Sequence, residues 1–133
     1  MTRATDALRL QPEQLKKNIP GPDGQRFHIG LERGELLIEL YVPEQQDLQK
    51  PHSRDECYVV IRGAGKFQMG EEIIPFESGD FLFVPAGLPH RFMDFGDSLE
   101  ASVMFYGPKG GSKLAAFIAG RACQLFLHLQ NAA

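Results

Sequence analysis

The chain has 133 residues, a formal net charge of −3 and a pI near 5.8. That length suits one domain with one real hydrophobic core, and the mildly acidic balance lacks the clustered basic face of a nucleic-acid binder. Two cysteines, Cys57 and Cys123, make neither a disulfide framework nor a Cys-x-x-Cys pair, so a reducing cytoplasm is the expected setting. No leader-like apolar run follows Met1, and no apolar stretch approaches the roughly 18 residues of a membrane span.

Residues 1–24 read as a polar arm, with a short helical turn around 12–17 opened by Pro12. The arm ends in a dense turn signal, Ile19-Pro20-Gly21-Pro22-Asp23-Gly24. Strands are expected at 25–31 and 36–42, the second aliphatic with one charge and stopped by Pro43. A polar loop, 44–50, precedes the strongest strand, 56–62. Then come 66–69 and 73–76 around Gly70, 81–84 after a Gly79-Asp80 turn, a rigid loop from Pro85 to Pro89, and strands at 90–95 and 100–106. About eight short strands with turns every 8–12 residues are the signature of a sandwich or barrel, so an all-β domain over 25–107 is expected. Beyond Gly111 the apolar period changes: Leu114, Phe117, Ile118, Ala122, Leu125, Phe126 and Leu129 recur at helical spacing. A linker and amphipathic C-terminal helix over 108–133 follow from that pattern, its wide apolar stripe needing cover from the barrel or a second subunit.

Two stretches carry candidate chemistry, Pro51-His52-Ser53-Arg54-Asp55-Glu56 and Gly79 to His90. On extended chain, alternate side chains share a side, so His52 and Glu56 face together with Tyr58 beyond them, and Cys57 faces away as a packing residue. His90 opens another strand. If the strands close into one barrel, two imidazoles and one carboxylate can meet inside it. Such a 2-His-1-carboxylate set suits iron, manganese, nickel or zinc and leaves positions open for substrate. Second acceptors for the imidazoles could come from Asp94 or Asp55. Tyr58, Phe92 and Met104 could line the mouth of the site or pack as core, and Arg54 and Arg91 flank the ligands.

The same residues resemble the cupin superfamily. Its second motif, Gly-x5-Pro-x-Gly-x2-His-x3-Asn, is met by Gly79, Pro85, Gly87 and His90, with Asp94 in the Asn place. Its first motif includes His-x-His-x3-4-Glu-x6-Gly; His52, Glu56 and Gly63 match, Lys50 stands where the first His would be, and Glu44 replaces the leading Gly. The resemblance implies a double-stranded β-helix (jelly-roll) barrel holding one divalent transition metal (Fe, Mn, Ni or Zn) on His52, Glu56 and His90. An ammonium is no metal ligand, so with Lys50 in the place of the first His, Gln46, Gln49, His28 or water could fill the fourth position. It also implies a small-molecule substrate, and the C-terminal helix suggests a homodimer, as is common among small proteins of this family, or else a cap on its own barrel. The function that follows is a metal-dependent enzyme of dioxygenase or isomerase/lyase type; the other reading is a non-catalytic barrel that binds or senses a small ligand.

Overall fold

The computed structural model describes residues 7–112. The expected C-terminal helix and Cys123 lie outside them. Pro12 opens a four-residue helix, α1 (Pro12–Leu15), which runs on as a 3-10 turn, Lys16–Asn18. Eight strands follow among the described residues: β1 (Phe27–Arg33), β2 (Leu36–Tyr41), β3 (Asp55–Arg62), β4 (Gly65–Met69), β5 (Glu72–Phe76), β6 (Phe81–Val84), β7 (His90–Met93) and β8 (Glu100–Tyr106). The all-β jelly-roll expectation holds. The first strand starts two residues later than expected and runs to Arg33, and β7 stops at Met93 because Asp94 takes a left-handed turn, φ 53°.

The strands pair antiparallel in two sheets, one ordered β1-β2-β8-β3-β6 and the other β5-β4-β7. Pro75 breaks no ladder, because β5 is an edge strand. Alternation decides which residues meet between the sheets. Glu56 stands opposite both Val84 and Phe105, and Tyr58 opposite Leu82 and Val103, all buried on the inner face. From the smaller sheet Phe67, Phe76 and Phe92 interlock, Phe92 lying 4.7 Å from Phe67 and 5.1 Å from Tyr58 between ring centroids. On this register two of the residues considered for the mouth of the site do not line it. Phe92 is core, packed on three aromatic rings. Met104 pairs with Cys57 and Ile38, one residue out of phase with Phe105, and so turns to the outer face.

Two loops are knitted together at one end of the barrel. The Gly87 N–H donates to the His52 carbonyl (2.8 Å) and the Gly70 N–H to the Pro89 carbonyl (2.7 Å). Asp55, 4% exposed, accepts from the backbone of Ala86 (2.9 Å) and Ser112 (3.2 Å). Gly87 has φ +81°, a conformation that L side chains rarely adopt. The rigid loop Pro85–Pro89 therefore does more than turn the chain: it clamps the loop that carries His52.

Candidate metal centre

His52, Glu56 and His90 offer ligand atoms that all lie within 4.8 Å of one another. Glu56 enters from β3 and is 1% exposed; His90 opens β7 and is 5% exposed; His52 sits on the clamped loop at the edge of a cavity. His90 Nε2 stands 2.6 Å from Glu56 Oε1, and His52 Nε2 stands 3.9 Å from the same oxygen. Two donors each about 2.1 Å from one ion are at most about 4.2 Å apart, so both imidazole–carboxylate contacts fit a shared cation, while the widest separation in the group, up to 4.8 Å, lies a few tenths of an ångström beyond that span. His52 and Glu56, both from the first of the two stretches, come together with His90, His52 from the loop that precedes β3.

The carboxylate is the observation that tests the fit. Neither Glu56 oxygen receives an aligned hydrogen bond from any described residue. A buried anion left this way costs several kcal/mol unless a positive charge stands against it. The neighbouring imidazole supplies a reason for that charge to be a cation. His90 Nδ1 lies 2.8 Å from the Leu88 carbonyl, which can only accept, so Nδ1 carries a proton, and whenever the ring is neutral its Nε2 presents a lone pair to Glu56. Two lone-pair atoms 2.6 Å apart need a proton or a metal between them. The donor set of two imidazoles and a carboxylate is one that divalent transition metals take.

Protons report the same tension. Burial alone would lower the His90 imidazole, but the close approach of the Glu56 carboxylate, with the Leu88 carbonyl, outweighs burial and the net direction is up. His52 goes down, driven by burial and only partly offset by Glu56. Burial, aided by Glu56, raises the Tyr58 phenol well above its ordinary value. Tyr58 is fully buried, with its ring in the core and its hydroxyl among the ligands, 3.1 Å from His90 Nε2 and 3.0 Å from Gln49 Oε1. It takes part in the site from below and does not line the cavity.

The second acceptor for His90 is the Leu88 carbonyl, and neither Asp94 nor Asp55 plays that part. Asp94 is exposed and pairs loosely with Lys66 at 3.9 Å, while Asp55 serves the loop clamp. Of the residues considered for the fourth position, Lys50 is exposed. His28 pairs across from Leu40, whereas its neighbours Phe27 and Tyr41 face the cavity, so His28 is on the wrong face of the sheet. Gln46 is exposed at the cavity rim. Gln49 alone turns into the site, its Oε1 3.3 Å from His52 Nε2.

A cavity of about 630 Å³ opens from His52 and Gln49. Phe27, Leu37, Leu48 and Phe105 make its apolar walls, and Arg26, Arg54 and Glu39 bring charge. The His52 ring stands edge-on against Phe105 at 4.8 Å. Arg54 donates to the Glu35 carbonyl at 2.7 Å, and Arg91 lies on the other sheet, bonded to Gln68 at 3.3 Å. Sequence reasoning missed two carboxyls. Glu39 faces the cavity from β2, and burial, with help from Glu56, pushes it up to about 7; the signal was the one charge in an aliphatic strand. Asp47, 7% exposed, hides in a stretch that reads as a polar loop, and nothing local marks it as buried.

A jelly-roll barrel with two imidazoles and a buried carboxylate at its open end defines a class, and comparison with known proteins agrees. The family profile described as "Cupin domain" matches residues 37–106, and the chain belongs to that family. It is 36% identical over 105 residues to an uncharacterized protein of Streptomyces coelicolor, covering 77% of this chain and 97% of that one. Among solved structures it resembles a conserved double-stranded β-helix protein of Klebsiella pneumoniae (TM-score 0.62, 18% identity, 78% of this chain and 94% of that one). It also resembles a cupin superfamily protein of Desulfitobacterium hafniense (TM-score 0.57, 17% identity, 77% and 94%). At such identities these two likenesses speak for the fold alone.

Proposed function

We propose that this cupin binds one divalent transition metal (Fe, Mn, Ni or Zn) through His52, Glu56 and His90 and acts on a small organic molecule held in the adjoining cavity. The observation that carries the reading is the buried Glu56 carboxylate, which no aligned hydrogen bond satisfies, with imidazole nitrogens of His90 and His52 2.6 Å and 3.9 Å from one of its oxygens. A bound ion would supply a Lewis acid or, if redox-active, a site for oxygen chemistry of the dioxygenase type. The chain's own residues set the rest. Apolar walls favour a largely apolar substrate, Arg26 and Arg54 can meet an anionic group, and Glu39, poised near neutrality, can give or take a proton as an isomerase or lyase requires. The non-catalytic reading, a barrel that only binds a small ligand, draws support from the absence of the motif's first His at Lys50. Turnover of an enol, thiol or catechol panel, with oxygen uptake followed, separates the two.

Metal analysis decides the core of the proposal. Protein purified without added metal, or soaked and desalted, should carry close to one equivalent; below about 0.2 equivalents in both, the reading fails. His52→Ala and His90→Ala should each lose the metal, and Lys50→Ala should keep it.

Assembly and setting belong to the same reading. A homodimer is supported by the outer face of the larger sheet, where Phe83, Cys57, Met104 and Ile38 form an apolar row across four strands. The Cys57 thiol sits in that row and burial raises it, as suits an unreactive thiol in a reducing cytoplasm. Among the described residues no helix is long and apolar enough to cross a membrane.

A further inference from the structure

Lys50 occupies the place of a missing ligand, yet the residue before it is the one turned inward. Gln49 is half-buried and its amide is held at both ends. Its Nε2 donates to Asp47 Oδ2 at 3.0 Å. Its Oε1 accepts from the Tyr58 hydroxyl at 3.0 Å and lies 3.3 Å from His52 Nε2. The direction of the amide is a matter of chemistry and not of convention. A carboxylate can only accept, so the NH2 end must face Asp47 and the carbonyl end must face the imidazole and the phenol. An amide oxygen has two lone pairs; Tyr58 uses one, and the other is directed to the side of His52 Nε2, which lies within hydrogen-bond distance.

Asp47 is itself anchored on three sides. Its Oδ1 accepts from the Tyr41 hydroxyl at 2.6 Å and from the Gln49 backbone at 3.0 Å, and its Oδ2 accepts from the Phe92 backbone at 2.8 Å. Phe92 is two residues beyond His90 on β7. One buried carboxylate thus ties the loop bearing Gln49 to the strand bearing a metal ligand. Every acceptor site it uses goes to holding the loop, which leaves none directed at the ion.

Resting on the metal-site reading above, we infer that Gln49 Oε1 is the fourth protein donor, supplied from the position before Lys50, and that Asp47 is the positioning residue that decides which end of the amide faces the ion. The resulting set has two neutral nitrogens, one anionic oxygen and one neutral oxygen, a harder donor set than three imidazoles and a carboxylate, and better suited to manganese, iron or nickel than to copper(I).

The test uses cobalt(II) alone as probe, titrated into the metal-stripped full chain, with affinity and the visible d–d spectrum as readouts. Gln49→Ala should bind about 10- to 100-fold more weakly, with a spectrum changed by the loss of a ligand. Gln49→Glu keeps an oxygen in place and should bind at least as tightly as wild type. Asp47→Asn should weaken binding by about 10-fold, and adding Gln49→Glu to it should restore the affinity, because a carboxylate has no wrong end to present. A merely structural role for Asp47 predicts no such rescue. If Gln49→Ala matches wild type in affinity and spectrum while His52→Ala loses cobalt, the fourth-ligand inference falls and the three-residue site stands. If wild type takes up no cobalt, both fall. Should circular dichroism show Asp47→Asn unfolded, the two Gln49 variants still decide the ligand question.

Discussion

Glu39 shows what a single side chain contributes by being in the wrong medium. It sits on β2 between Leu37 and Tyr41 on the cavity face, and burial beside Glu56 moves its carboxyl from 4.5 up to about 7. A carboxyl raised on folding is a destabilising charge. Below the unfolded value it is protonated in both states and costs nothing; between 4.5 and about 7 the cost grows, and above about 7 it is complete. Glu39→Gln should therefore stabilise the metal-stripped protein at pH 8 by on the order of 1–2 kcal/mol, allowing for partial exposure, and by almost nothing at pH 4. Urea unfolding at the two pH values measures this; an equal gain at both would show that the charge is not the cause. A carboxyl raised toward neutrality beside the candidate metal centre suits the proton exchange proposed for Glu39.

At the scale of elements, the N-terminal arm is docked and not loose. A Cβ on Gly30 would meet the Leu10 side chain at 3.1 Å and the Leu15 side chain at 3.2 Å, so the arm lies directly on β1 at that point. The 3-10 turn adds an ionic latch, Lys16 to Glu100 at 3.1 Å, and Glu100 also holds Arg62 at 3.2 Å. Glu100 is 2% exposed, so losing either cation would leave a buried carboxylate less compensated. Gly30→Val should push the two leucines off the strand, at a cost of roughly 1–3 kcal/mol. Tryptic cleavage after Lys16 and Lys17 should accelerate while metal content is unchanged, because the site lies on the other face of the sheet. Unchanged cleavage would mean the arm is held elsewhere.

For the whole molecule, the outer face of the larger sheet is the feature that the barrel alone does not use. Phe81 is 75% exposed and Phe83 48% exposed, both on β6 at the sheet's edge, with Val59 and Cys57 directly opposite them. A contiguous apolar face of this kind drives association. Light scattering should give a dimer for the native chain and a monomer for Phe81→Glu with Phe83→Glu, at unaltered metal content. A form ending at Gly110 that keeps its dimer mass would rule out residues 111–133 as the main contact. If the double variant keeps its dimer mass, the outer face is not the contact.

Much of this was legible in residue type and spacing. Turn residues between short β-branched and aromatic runs mark the strands, because local chain preferences act over a few residues, and alternation assigns Cys57 to the side away from Glu56. The motif residues Gly79, Pro85, Gly87 and His90 announce a ligand and the loop that presents it. Spacing could not say that Met104 faces out and Phe92 packs in the core, because a one-residue offset in register reverses a face and register is settled between strands far apart in sequence. Nor could it choose among Gln46, Gln49, His28 and Lys50, or reveal Asp47. Those answers depend on which loop is clamped to which strand, through bonds from Asp47 to Phe92 and from Gly87 to His52 that join residues 45 and 35 positions apart. Composition and order along the chain set out the barrel and its candidate ligands; burial and long-range hydrogen bonding, which exist only once the sheets have closed, decide which polar side chains face the candidate metal centre and which merely hold the wall.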